Sequence, residues 1–344
     1  MSEPRRAPGG TGGKWPSGPG FYINRSKSVA MVRRWSPELS RALTATGVTA
    51  IHIRHGWPEP GLDLLVPHAD QLERVIVELD LSDLSALEHL PKLSHLSIRG
   101  GAETLDFSRC PRLETMRIWS DKPGIGNLHA CAALNKLSIG NCGLTDFGPL
   151  AGLGQVLDLE VVEAPFRSLE GITELAALER LSLSQAPAES LAGIEHAPGL
   201  RSVGLFGLGR LTSIAPLLRL RRLRLLEIEA SARIGDVHRL GEIAGLEELR
   251  LAGLTLTDVT FLSRLPALRS LTLGNVGNIP SLAFLRSLTA LEGLGLLDST
   301  VIVDGDLSPL LGLPALSRVQ YTERRHYQPR KREIQGALRS NAQS

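Results

Sequence analysis

The chain holds 344 residues, 42% of them apolar, with 38 Lys+Arg against 36 Asp+Glu and a formal net charge of +2. That much apolar material suits one continuous elongated domain, and no run approaches the ~20 apolar residues of a membrane-spanning helix. Three cysteines, an odd number with no secretion signal in view, argue against a disulfide framework.

Residues 1–20 are rich in Pro and Gly, lack any apolar run and read as a disordered tail. Val29–Trp35 is too short for the apolar core of a signal peptide and is broken by Arg33 and Arg34, which points to the cytoplasm. Ser36-Pro37-Glu38 has the form of a helix start, Ser as N-cap and Pro at the first helical position. A helix is therefore expected through Leu39 and Leu43 to about Ala45, within an N-terminal cap over 21–46.

From Val48 onward one hexad recurs, apolar at its first, fourth and sixth places. It reads LSHLSI at Leu93–Ile98, LERLSL at Leu178–Leu183, LEELRL at Leu246–Leu251 and LRSLTL at Leu268–Leu273. Thirteen copies begin at Val48, Leu72, Leu93 and so on to Leu316, spaced 20 to 25 residues apart. A fixed period in the twenties built on LxxLxL marks a leucine-rich repeat solenoid over 47–322. A second apolar set lies six residues before each hexad (Leu150, Ile172, Ile194) and a third lies three before (Leu153, Leu175, Ala197). No coil can bury its leucines alone, so neighbours must stack into a common core. The expected fold is α/β: a right-handed arc with a parallel concave sheet and short 3₁₀ or single-turn helices on the convex side. Pro and Gly interrupt segments such as Leu144–Leu153 and Leu307–Leu316 too often for longer helices.

These connecting segments resemble the short-repeat class of leucine-rich repeats found in bacterial internalins, over roughly 48–321. That class usually sets Asn three residues after the sixth hexad place, where it bonds backbone groups inside the turn. Here the slot holds Gly101, Asp121, Cys142, Ala164, Ala186, Leu208, Ser231, Leu254, Val276 and Ser299. There is no asparagine ladder, and apolar packing is expected to replace part of its hydrogen bonding. Beyond the last hexad, 323–344 is basic, with a short helix expected near Lys331–Arg339 as a C-terminal cap or tail.

The charge is divided. Residues 1–41 carry eight Lys/Arg against two acids and 317–344 seven against two, which leaves a net of −9 for 42–316. An acidic body with basic ends is unlike a nucleic-acid binder. Cys110 and Cys131 fill a column that Leu fills elsewhere and read as core. His129-x-Cys131 lacks the four ligands of a zinc site. Gly204–Gly209 imitates a dinucleotide fingerprint, but without a βαβ unit around it. No catalytic motif occurs, so neither catalysis nor a cofactor or metal is expected.

Binding along the concave face remains, at the third, fifth and seventh hexad places. The first five strands present His52, Arg54, Arg74, His95, Arg99, Arg117, Trp119 and Lys136, with Glu78 the only acid, and Trp57 lies just past strand one. The sixth reverses sign with Asp158 and Glu160, and the final strands are bland. Exposed Trp beside Arg is the composition of interaction hot spots. The expected function is a non-catalytic scaffold docking an acidic segment of a partner protein on these eight residues. The alternatives are a regulatory subunit of an enzyme and, less favoured, a polyanion or RNA binder through the basic strands and tails.

Overall fold

Period-two alternation decides which hexad residues face inward, and stacking decides that they do so in columns. In a computed structural model of the chain, residues 17–18, 20–24, 26, 28–57, 60–100, 105–120 and 127–341 are described. Three strands come first: β1 (Ser17–Gly18), β2 (Phe21–Ile23) and β3 (Val29–Val32). The hexads then supply β4 (Ala50–Ile53), β5 (Arg74–Asp80), β6 (His95–Arg99), β7 (Thr115–Trp119), β8 (Lys136–Gly140) and β9 (Asp158–Val162). They continue with β10 (Arg180–Ser184), β11 (Ser202–Phe206), β12 (Leu225–Glu229), β13 (Glu248–Ala252) and β14 (Ser270–Gly274). After β15 (Asn278–Ile279) come β16 (Gly293–Leu297), β17 (Val301–Ile302) and β18 (Arg318–Tyr321). Sixteen strands form one sheet in chain order, parallel from β3 onward, while β15 and β17 pair separately.

Outside one break between β5 and β6, the register matches hexad place to hexad place. Leu181 stands opposite Leu159 and Val203, and Leu183 opposite Val161 and Leu205. All six are buried in one core that runs the length of the stack. The convex side is built of 3₁₀ turns such as Ile172–Glu174 and Ala215–Arg219, as the Pro and Gly content predicts. Cys110 and Cys131 lie buried in the convex column, where Leu sits in most repeats.

The turn after each strand solves the missing-asparagine problem in two ways. The residue directly after the strand takes a left-handed conformation, at Asn141, Glu163, Gln185, Gly207, Ala230, Gly253, Asn275 and Asp298. This conformation costs a non-glycine residue about 1–2 kcal/mol. It also extends the ladder by one bond: Asn141 N–H donates to Val162 O at 3.0 Å and Gln185 N–H to Phe206 O at 2.8 Å. In the asparagine slot itself Cys142, Ala164, Ala186, Leu208, Leu254 and Val276 are buried. Two hydroxyls do the remaining bonding. Ser231 Oγ accepts from Leu208 N–H at 3.1 Å and donates to Glu229 O at 3.1 Å. Thr300, one place later than expected because its repeat is longer, accepts from Val276 N–H and donates to Leu273 O. Ser299 is exposed, and Gly101 and Asp121 lie outside the described residues.

Helix α1 (Pro37–Thr46) starts where Ser36 Oγ accepts from Leu39 N–H at 3.2 Å and ends at Gly47, whose φ is 63°. Leu39 and Leu43 close the first coil. The antiparallel β1–β2–β3 meander beside it was not legible in the sequence. Of the tail expected over 1–20, residues 1–16 and 19 lie outside the described residues, while Ser17 and Gly18 form β1. At the other end α2 (Lys331–Asn341) buries Ile334 and Leu338, and Lys331 Nζ donates to Tyr321 O at 3.1 Å.

Candidate functional site

Outward places stack as strictly as inward ones, so the concave face consists of three columns. The third-place column reads Ala50, Arg74, His95, Thr115, Lys136, Asp158, Arg180 from β4 to β10. The fifth-place column reads Met31, His52, Ile76, Ser97, Arg117, Ser138, Glu160 from β3 to β9. Adjacent strands place successive members of a column about 4.8 Å apart, within reach of long charged side chains.

The ladder breaks once in this region. β5 and β6 pair at Arg74–His95, Val75–Leu96 and Ile76–Ser97, and resume only at Asp80–Arg99. Val77, Glu78 and Leu79 thus oppose the single residue Ile98. Such bulges bend a strand and re-aim its side chains. A groove of about 500 Å³ opens at the break and runs across β5 to β8. Six of the eight expected site residues line it: Arg74, His95, Arg99, Arg117, Trp119 and Lys136. His52 and Arg54 do not, being held at its margin by Glu78. His52 Nε2 lies 2.7 Å from Glu78 Oε1, and Arg54 Nε donates to Oε2 at 3.0 Å. Burial pushes the Glu78 carboxyl up, but the hydrogen bonds and charges of Arg54 and His52 outweigh it and hold it below its ordinary value.

The sign change at β9 is a set of counter-ions rather than a boundary. Asp158 pairs with Lys136 at 3.0 Å and with Arg180 at 3.3 Å. Glu160 accepts from Ser138 Oγ at 2.6 Å and lies 3.5 Å from Arg117. Half-exposed pairs of this kind add little stability, but they reduce the positive field of the groove. Arg74 and Arg99 are exposed and have no ion pair among the described residues, and His95 Nδ1 lies 2.8 Å from Ser94 Oγ. The unneutralised cationic part of the groove is therefore centred on β5 and β6.

Trp119 does not project freely. Its half-buried ring reaches over β8, filling the space that a side chain on Gly140 would occupy. Phe206 folds back over Gly204 in the same manner. A glycine at an outward strand place beside an aromatic is the signal that was available for this arrangement. Trp57 is buried and donates Nε1–H to Gly61 O at 3.0 Å, so it belongs to the cap.

The chemistry open to the thiols is limited by burial, which pushes Cys110 up to about 12 and Cys131 up to about 11. Neither is a thiolate at neutral pH. Among the described residues no three His, Cys, Asp or Glu side chains converge as metal ligands. No helix among them is long and apolar enough to cross a membrane.

No protein-family profile and no curated protein sequence matches the chain. Solved structures do. The TLR13–ssRNA13 complex superposes with a TM-score of 0.55 at 16% identity, over 80% of this chain and 47% of that one. An internalin, InlF of Listeria monocytogenes, gives a TM-score of 0.49 at 17% identity over 89% and 86% of the two chains. A leucine-rich-repeat protein of Leptospira interrogans gives 0.45 at 14% over 90% and 92%. At these identities the likeness concerns fold alone. Together with thirteen in-phase hexads and a register that matches them outside the β5 bulge, the likeness to the TLR13 chain establishes the leucine-rich-repeat solenoid fold.

Proposed function

We propose that the protein is a non-catalytic binding scaffold that docks an acidic segment of a partner protein in the concave groove of β5 to β8. One observation carries the reading: Arg74 and Arg99, which have no ion pair among the described residues, share a groove with a tryptophan seated over a glycine. The sheet is formed before binding, so little conformational entropy is lost on association. Arg74, Arg99 and His95 would set approach and orientation. Trp119 would cover an apolar side chain of the partner and supply about 2 kcal/mol or more. The polyanion alternative has less support, because His52, Arg54, Arg117 and Lys136 already have internal counter-ions.

The test uses a partner isolated on the immobilised full chain and then titrated against variants. Trp119→Ala with Arg74→Glu is the suitable pair, since neither side chain supports the core. Arg117→Glu is unsuitable because it would press a carboxylate against Glu160. The double variant is expected to melt like the parent and to bind at least ~30-fold more weakly, the equivalent of about 2 kcal/mol. Undiminished binding moves the site elsewhere, with the acidic places Glu227, Glu229 and Glu248 next in line.

A further inference from the structure

The far end of the concave face has a second cavity, of about 590 Å³, where the third and fifth outward places of β14 and β16 are small and uncharged. In register, Ser270, Gly293 and Arg318 cross β14, β16 and β18 at one level, and Thr272, Gly295 and Gln320 at the next. Two glycines on the middle strand leave a trough floored by backbone. Flanking strands two spacings apart make it roughly 10 Å wide. Leu297 leans back over one end, its Cγ 3.7 Å from where a Cβ on Gly295 would stand. Helix α2 walls the trough with Gln335, Leu338 and Arg339. No carboxylate lines the cavity, and among the described residues neither Arg318 nor Arg339 has an ion pair.

Geometry over Gly293 narrows the ligand. The Cβ that this residue lacks would stand 3.9 Å from Ser270 Oγ, 3.9 Å from Arg318 Nη2 and 4.0 Å from Arg318 Nε. Nε and Nη2 form the guanidinium edge that grips an oxyanion through two parallel hydrogen bonds. The guanidinium edge and the Ser270 hydroxyl thus converge on the open space above Gly293. One fork and one hydroxyl satisfy a planar carboxylate. A tetrahedral phosphate asks for donors on a further face, where the floor has only the Gly293 backbone.

We propose that this cavity is a carboxylate-binding site, in which Arg318 and Ser270 hold the carboxylate over Gly293 and Thr272, Gln320 and Gln335 bond a polar body beside it. The site stands on the cavity and its two arginines, with the glycines supplying room. It is independent of the groove at β5 to β8.

Equilibrium dialysis of the full chain tests it with four probes: an N-acetylated octapeptide pool free of Asp and Glu, the same pool amidated at its C-terminus, succinate, and inorganic phosphate. Binding of the free-acid pool identifies a peptide chain end as the source of the carboxylate, and binding of succinate identifies a small molecule; either supports the assignment. Arg318→Gln and Gly293→Val are each expected to weaken that binding at least tenfold, while Trp119→Ala leaves it unchanged. A Cβ at 293 meets nothing nearer than 3.9 Å, and the place faces outward from the sheet, so valine occupies the trough rather than the core. Melting curves of both variants should match the parent. The assignment is overturned if neither carboxylate probe binds, if the amidated pool or phosphate binds as tightly, or if binding survives Gly293→Val.

Discussion

Buried polar side chains show at the level of single residues where this solenoid is vulnerable. Ser231 is fully buried and satisfies the backbone of two successive turns. Ser231→Ala leaves Leu208 N–H without a partner in an apolar interior, which costs about 1–3 kcal/mol. Ser299→Ala, at an exposed position, is expected to stay within about 0.5 kcal/mol of the parent; urea midpoints compare the two. His68 is a second case. It is buried beneath α1 with Nε2 3.0 Å from Ser40 Oγ, and burial lowers its pKa below the ordinary histidine value. The unfolded chain therefore takes up the proton first as pH falls below about 6.5. Stability tied to this group is fully present above that pH and is lost as pH drops toward the folded pKa. Protection factors in α1, taken relative to intrinsic exchange at each pH, should fall between pH 7.5 and 5, and His68→Gln should remove that group's share of the fall. For Cys110 and Cys131, with pKa values pushed up to about 12 and about 11, native thiol labelling at pH 8 should be slow and should become fast in denaturant.

Among the elements, strands β4 to β18 of the main sheet were legible because each pairs a hexad with its neighbour, and thirteen copies fix the phase. Strands β1 to β3 were not, because they are two to four residues long and lack the hexad. The β5 bulge was hidden for a different reason. The 21-residue step from Leu72 to Leu93 lies inside the normal spread, so an extended pairing to Asp80 leaves no trace in the period. At the candidate site the residue types and their columns were readable, but their pairing was not. Asp158 and Glu160 looked like a change of sign along the sheet, whereas side chains one and two strands apart reach across and neutralise Lys136 and Arg117. The arrangement of Trp119 over β8 yields a test. A Cβ at Gly140 would enter the ring, which can only swing away from the sheet. Gly140→Val points away from the core, so it should cost less than about 1 kcal/mol while reducing partner binding as strongly as Trp119→Ala. A variant that melts normally and binds normally would show that the seated ring is irrelevant to docking.

For the whole molecule, the governing fact is that among the described residues each coil packs chiefly against the coils on either side. Contacts run from β10 to β9 and β11, and 3₁₀ turn to neighbouring 3₁₀ turn, with caps at the two ends. Stability is then a sum of coil and interface terms rather than the property of one central core. Leu181→Asp is the sharpest test of that structure. The side chain lies between Leu159 and Val203, 2% exposed, with no cation facing it. A charge there is costly in an apolar medium unless it is paired, and removing the leucine alone costs about 2–5 kcal/mol. In a globular domain the whole fold would absorb that loss in a single transition. Here the damage should fall on the interfaces β9–β10 and β10–β11 and divide the stack into two unequal arrays. Hydrogen exchange should rise first in β9 to β11, while β5–β6 and β13–β14 keep most of their protection. Calorimetry should resolve a broadened or double transition in place of one. Uniform loss of protection from β4 to β18 would show that the stack is cooperative over its full length. Unchanged melting would mean that Leu181 does not face the core, and with it the phase of every hexad would fail.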